Sequence, residues 1–259
     1  MSRTRSQKRF YSGPERKARE AFARKVLRLS AAALRKKLAL AIDGIVLTMP
    51  PADDADRFNY CRFGEDHMWR LDSEAVHPDL GGDDPYGKQP PQARCIPLWG
   101  GCSAGGFGIL AFHKTKKLSQ DEWIKALRSG AVKKAIQGTN PTNKNGPWEM
   151  LCDNEGFLEA KAVCKEYAKL RIDMWHVPPR SPDLNPVEKF WAWLRRHLRA
   201  LDLQDAVAKR PVLGKTAYRE RVRRVLHTKK ATRVARNCTL GLAKVCREVL
   251  RKTGAATRG

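Results

Sequence analysis

With 259 residues, 42 % of them apolar, the chain is long enough to bury the core of one large domain, and no apolar run is long enough to cross a bilayer as a helix. Its net charge of +24 is uneven: residues 1–40 hold 13 Lys/Arg and 2 acids (+11), residues 195–259 hold 19 and 4 (+15), and residues 41–194 hold 19 and 21 (−2). A near-neutral middle between basic flanks points to nucleic acid as partner and away from a membrane, because so much like charge is costly in self-repulsion without a polyanion.

Residues 1–14 are rich in Arg and Ser and hold no acid, which suits a basic arm or a nuclear or organellar targeting signal. Residues 15–40 predict a helix, with Ala21, Phe22, Val26 and Leu29 at helical spacing. The run from Leu38 to Thr48, interrupted only by Asp43, predicts a strand buried on both faces and stopped by Pro50-Pro51. Asp53, Asp54 and Asp56 fall in loop and Asp66 in loop or at a strand edge. Residues 67–71 read as a short strand and 77–93 as a long loop. Ile96–Ser103 and Phe107–Phe112 flank an Ala-Gly-Gly turn, a hairpin signal. Ser119 with Asp121 and Glu122 predicts a capped helix to about Ile136. Trp148–Asp153 predicts a strand, 156–169 a helix, Ile172–Val177 a strand, and Asn185 opens another helix. This order fits an α/β fold: a mixed sheet with helices on both faces. Seven cysteines without a Cys-x-x-Cys pair point to a reducing compartment rather than a disulfide or zinc framework.

Three acids stand out. Asp43 interrupts an apolar strand, where a carboxylate is expensive unless it holds a metal or pairs with an Arg. Asp153 ends a strand and could ligate a metal or cap the helix predicted after it. Glu188 sits three residues after Asn185 and two after Pro186, so it could ligate a metal or close a capping box. The 34 residues between Asp153 and Glu188 leave room for a helix, a strand and a turn, so the two acids can converge from different elements.

The block Ser181-Pro182-Asp183-Leu184-Asn185-Pro186-Val187-Glu188, with Trp191 after it, resembles the stretch that carries the third catalytic acid in the mariner superfamily of cut-and-paste transposases. Asp153-Asn154 matches the family's second acid and its Asn neighbour. The segment from Trp99 to Gly108 is similar to its Trp-Gly strand pair. This chain departs from the family at Gly44, where Glu usually follows the first acid, and at Phe157-Leu158, where a His often stands. The resemblance implies a ribonuclease H-like, five-stranded mixed sheet with helices on both faces, plus basic helical N- and C-terminal extensions. The expected domains are a basic arm and linker helix over 1–37, a catalytic-type domain over 38–200 and a basic helical extension over 201–259.

By the same resemblance, Asp43, Asp153 and Glu188 are the catalytic acids and hold two Mg²⁺ or Mn²⁺ ions that serve DNA cleavage and strand transfer. Ser181, Pro182, Asp183, Asn185 and Pro186 shape the turn that delivers Glu188, while Trp191 and Trp193 read as core or platform. Arg195, Arg196, Arg199, Arg219, Arg221, Arg223, Arg224, Lys229 and Lys230 are expected on phosphates without reading sequence. The partner is DNA by resemblance, with RNA left open, in the nucleus or a nucleic-acid-containing organelle such as the mitochondrion. The chain opens on what resembles the linker helix, so the family's N-terminal helix-turn-helix pair is expected to be missing. That leaves an alternative: a domesticated, catalytically silent scaffold in a ribonucleoprotein or chromatin assembly, whose basic tails take order from their partner.

Overall fold

The computed structural model describes residues 2–3, 11–50, 52, 69–70, 92–113, 119–140, 143 and 145–257. Asp53, Asp54, Asp56, Asp66, Cys61 and most of the 77–93 loop lie outside the described residues. Five strands form the main sheet: β1 (Leu38–Thr48), β2 (Cys95–Ser103), β3 (Gly106–Phe112), β4 (Trp148–Cys152) and β5 (Ile172–His176). Their order is β3-β2-β1-β4-β5. The β1/β2 and β2/β3 pairs are antiparallel, and β1/β4 and β4/β5 are parallel. Ser2–Arg3 pairs antiparallel with Trp69–Arg70 as a separate two-residue ribbon.

The strands formed where the sequence predicted them, and the central β1 and β2, covered on both faces, read as nearly continuous apolar runs. Leu40 and Ile42 of β1 face one apolar cluster, with Trp99, Trp123, Val132, Ile136 and Val163. That cluster is closed by α3 (Gln120–Arg128), α4 (Ala131–Thr139) and α5 (Lys161–Leu170). Ala41, Ile45 and Leu47, on the other face, meet two more clusters. The first of these is built with α6 (Pro186–Val207), α7 (Lys215–Leu226) and α8 (Lys229–Leu240). The other is built with α1 (Gly13–Leu27), α2 (Ala31–Lys37) and α9 (Leu242–Arg251).

Three predicted boundaries move, each for a local reason. The helix expected over 15–40 splits: Ser12 and Glu15 form a capping box at α1, Ser30 caps α2, and the chain turns to strand at Leu38. The pull of two-sided burial on Leu38–Ile42 overrides helix propensity there. The helix from Ser119 breaks at Gly130, whose φ of 75° interrupts helical geometry. The helix expected from 156 begins only at Lys161, after a 3₁₀ turn over Gly156–Glu159.

The flanks differ most from expectation. The domain line at 200 falls inside α6, and the last three helices are part of the core rather than a basic tail awaiting a partner. Tyr218, Val222 and Ala235 are buried in the cluster that holds Phe190 and Trp191. Val245, Cys246 and Val249 of α9 pack with Phe22 and Val26 of α1. Their charge is carried on outward faces while an apolar stripe binds each helix to the sheet.

Candidate active site

Asp43, Asp153 and Glu188 reach the same face of the sheet from three elements. Asp43 is on central β1, opposite Gly100 of β2. Asp153 is the residue after β4, the strand parallel to β1 on its other side. Glu188 lies in the first turn of α6, whose apolar stripe of Val187, Phe190, Trp191 and Leu194 packs on that face. The site therefore forms at the point where the sheet passes from antiparallel to parallel pairing.

The electrostatics show the acids sensing one another. Burial raises the Asp43 carboxyl to about 8, with Glu188, Asp153 and, more weakly, Glu155 adding to the rise while the Gly44 backbone opposes it. Burial also raises Asp153, against a hydrogen bond from Asn185. Glu155 is raised by burial and by Asp153. Sequence reasoning passed over Glu155; its only signal was its place two residues past Asp153.

Neutral donors hold the two aspartates. The indole Nε1 of buried Trp191 donates to Asp43 Oδ2 at 3.2 Å. Asn185 Nδ2 donates to Asp153 Oδ1 at 3.2 Å and to the Ile42 carbonyl at 3.1 Å, and its Oδ1 accepts from the Val187 amide at 3.4 Å. Asn154 Nδ2 donates to the Val177 carbonyl at 2.9 Å, tying the end of β4 to the residue after β5. The alternative role of Asp153 as cap to the following helix is not taken, since Ala160 stands at the N-cap of α5. Asp43 has the Trp191 indole where the alternative expected an Arg.

The turn before Glu188 is braced from both ends of the chain. Asp183 accepts from Arg19 Nη1 at 2.8 Å and Nη2 at 2.6 Å, and from Thr257 Oγ1 at 2.8 Å. Arg19, wholly buried, also donates to the Gly254 carbonyl. Burial alone would raise Asp183; the Arg19 hydrogen bonds and charge, with Thr257, outweigh it and hold the carboxyl below its ordinary value. Ser181 Oγ donates to the Pro179 carbonyl, and Pro182 opens the 3₁₀ turn that Asn185 ends. Pro186 is the first residue of α6. Neighbouring His176 is half-buried, 3.4 Å from the Cys152 thiol through Nδ1 and 3.6 Å from Glu159 through Nε2.

The basic residues divide. Arg195, Arg196, Arg199, Arg223, Arg224, Lys229 and Lys230 are exposed on α6, α7 and the start of α8. Arg219 and Arg223 lie over the Phe112 ring, with guanidinium carbons 5.6 and 5.0 Å from its centroid. Arg221 goes to the fold instead: it pairs with Asp202 at 2.8 Å and closely with Asp205, and is 16 % exposed. Trp193 stacks on His197 with centroids 5.3 Å apart.

Residues 76–207, half of the chain, match the family described as DDE superfamily endonuclease. The chain belongs to this DDE superfamily. The matched span contains Asp153 and Glu188, while Asp43 precedes it. No curated protein matches the chain at significant sequence similarity. In its ribonuclease H-like fold the DDE protein is similar to the crystal structure of a pre-cleavage Mos1 transpososome, at 14 % identity and a TM-score of 0.64, over 100 % of this chain and 68 % of that one. It is likewise similar to the Mos1 mariner paired-end complex with Mn, at 13 % identity and a TM-score of 0.63, over 100 % of this chain and 68 % of that one. The Mos1 catalytic domain with raltegravir and Mn aligns at 12 % identity and a TM-score of 0.59, over 96 % of this chain and all of that one.

The donor set of this site suits a hard divalent cation: carboxylate oxygens, with Asp43 raised by burial and then by the Glu188 and Asp153 charges, which an ion would offset. Among the described residues no group of three His, Cys, Asp or Glu side chains is already gathered as a metal cage.

Proposed function

We propose that this DDE domain cleaves DNA phosphodiesters and joins a freed 3′-hydroxyl to a second phosphodiester, with Asp43, Asp153 and Glu188 as ligands of Mg²⁺ or Mn²⁺. The observation that carries this reading is the convergence of the three acids from three elements on one face of the sheet, where the Glu188 and Asp153 charges add to the burial that raises Asp43. Two such ions, when bound, activate the attacking oxygen and stabilise the leaving one. The residues of the chain do the remainder. The three carboxylates supply oxygen ligands, Trp191 and Asn185 hold two of them by neutral hydrogen bonds, and the Arg19–Asp183 pair fixes the turn from which Glu188 projects. The exposed cations of α6, α7 and α8 hold the phosphate backbone electrostatically, with affinity that falls as salt rises. That the similar Mos1 structures include a pre-cleavage transpososome and paired end complexes with Mn or Mg supports both parts.

The second reading is a silent nucleic-acid scaffold. The net charge of +24 favours it. Nicking of supercoiled plasmid by the purified chain with Mg²⁺ or Mn²⁺ separates the two. Metal-dependent nicking that disappears in Asp153→Asn and Glu188→Gln establishes the nuclease. Unchanged plasmid, with nucleic-acid binding intact and equal in all three proteins, establishes the scaffold.

A further inference from the structure

Glu188 has two neighbours on its own helix face that also reach the site. Asn185, Glu188 and Trp191 follow one another at intervals of three, which places them on one stripe across the first turns of α6. Both flanking side chains are fully enclosed, Asn185 at 0 % and Trp191 at 1 % exposure, so neither is available to a ligand. Each has its donor directed at one of the other two acids: Asn185 at Asp153, Trp191 at Asp43.

The amide orientation of Asn185 follows from its partners. Its Nδ2 faces a carbonyl and a carboxylate, both acceptors, and its Oδ1 faces an N–H. The reversed amide would set oxygen against two oxygens and NH₂ against a donor. Asn185 thereby touches all three supports of the site at once: the β1 main chain one residue before Asp43, the Asp153 side chain after β4, and the first amides of the helix that carries Glu188.

We propose that Asn185 and Trp191 are positioning residues which, with Glu188, make the first turns of α6 a single template that sets the spacing of both aspartates for a divalent ion. The inference rests on the metal reading above and adds which side chains outside the ligand set decide how tightly the ion is held. Both donors are neutral, so they orient the carboxylates without supplying the positive charge that an ion brings. A Lys or Arg at either place would compensate the acids and compete with the ion. Outer partners of metal-binding carboxylates change affinity by roughly ten- to a hundredfold when removed, which sets the scale expected here.

The test is Mn²⁺ affinity of the purified, DNA-free chain, read from free-ion electron paramagnetic resonance, beside its thermal midpoint without metal. The variants are Trp191→Phe, Asn185→Ala, Asn185→Ser and Asp153→Asn. Trp191→Phe keeps the ring in the apolar cluster and removes the donor. Asn185→Ser keeps a hydroxyl able to cap α6 but is too short to span Ile42 and Asp153. Expected are losses of about tenfold or more in Mn²⁺ affinity for Trp191→Phe and for both Asn185 variants, with Asn185→Ser melting above Asn185→Ala. Wild-type affinity in Trp191→Phe and Asn185→Ser, with affinity lost in Asp153→Asn, would overturn the template and leave the metal site standing. A wild-type chain that takes up no Mn²⁺ would overturn both.

Discussion

Asp183 and Glu188 belong to one short motif, yet the acids around them obey opposite electrostatics. Asp183 is met by a buried guanidinium and a threonine, and its carboxyl is held low. Asp43 is buried, faces other carboxylates and accepts from an indole, and its carboxyl is pushed up to about 8. The first arrangement stabilises the native chain as it stands. The second destabilises it until something positive arrives. A compensated acid beside uncompensated ones is how a fold separates holding a turn in place from keeping a site ready for a cation.

The largest expected effect tests the compensated side. Arg19→Ala leaves Asp183 without its main partner and removes the donor to the Gly254 and Ala255 carbonyls, and should lower stability by roughly 3–5 kcal/mol in chemical denaturation. A loss below about 1 kcal/mol would erase the contrast, since exposed pairs already contribute that much. On the other side, Asp43→Asn should stabilise the metal-free chain at pH 8 by roughly 2–4 kcal/mol and do little at pH 4, while abolishing any nicking. If it destabilises at pH 8, Asp43 is compensated after all.

The wild-type pH profile sharpens the same point. The folded state keeps a proton on Asp43 between the ordinary carboxylate range and about 8, where the unfolded chain has released it. This group's contribution is therefore present below about pH 4 and lost as pH rises through 8. Asp183 runs the other way: its contribution is present above the ordinary carboxylate range and lost as pH falls through its lowered value. Excess Mn²⁺ at pH 8 should recover about 2.7 kcal/mol at a hundred times its Kd, measured as a shift in denaturation midpoint. The smallest stability effect is expected at the exposed cations. Arg195→Gln with Arg196→Gln should change stability by less than about 0.5 kcal/mol and lower the slope of log affinity against log salt by roughly 2 units.

Much of this architecture was legible in the sequence, for a physical reason. A strand covered on both faces is largely apolar, so β1 and β2 announced themselves and a lone acid in β1 was conspicuous. The motif around Glu188 and the Asp153-Asn154 pair supplied the other two acids through resemblance. What could not be read were contacts between distant positions. Trp191 reaches Asp43 across 148 residues of sequence, and Arg19 reaches Asp183 across 164. Asp183 therefore passed as part of a turn, and Arg221 as a phosphate contact, although its carboxylate partners lie on the preceding helix. The C-terminal helices misled in another way. Their charge dominates the composition and conceals stripes such as Tyr218, Val222 and Val225, which are what binds them to the sheet.

One residue narrows the routes open to this sequence. The family's usual Glu after the first acid is Gly44 here, and Trp99 on the neighbouring strand occupies the room a side chain would need. A Cβ added at 44 would stand 2.4 Å from the Trp99 Nε1. Trp99 in turn is wedged against Trp123 and Phe157, with ring centroids 5.5 and 5.8 Å away, so it has little freedom to yield. Positions 44 and 99 thus interlock: a substitution that places an acid at 44 requires a smaller side chain than the indole at 99. The residue that can stand beside Asp43 is thus set by the size of a core tryptophan on the neighbouring strand.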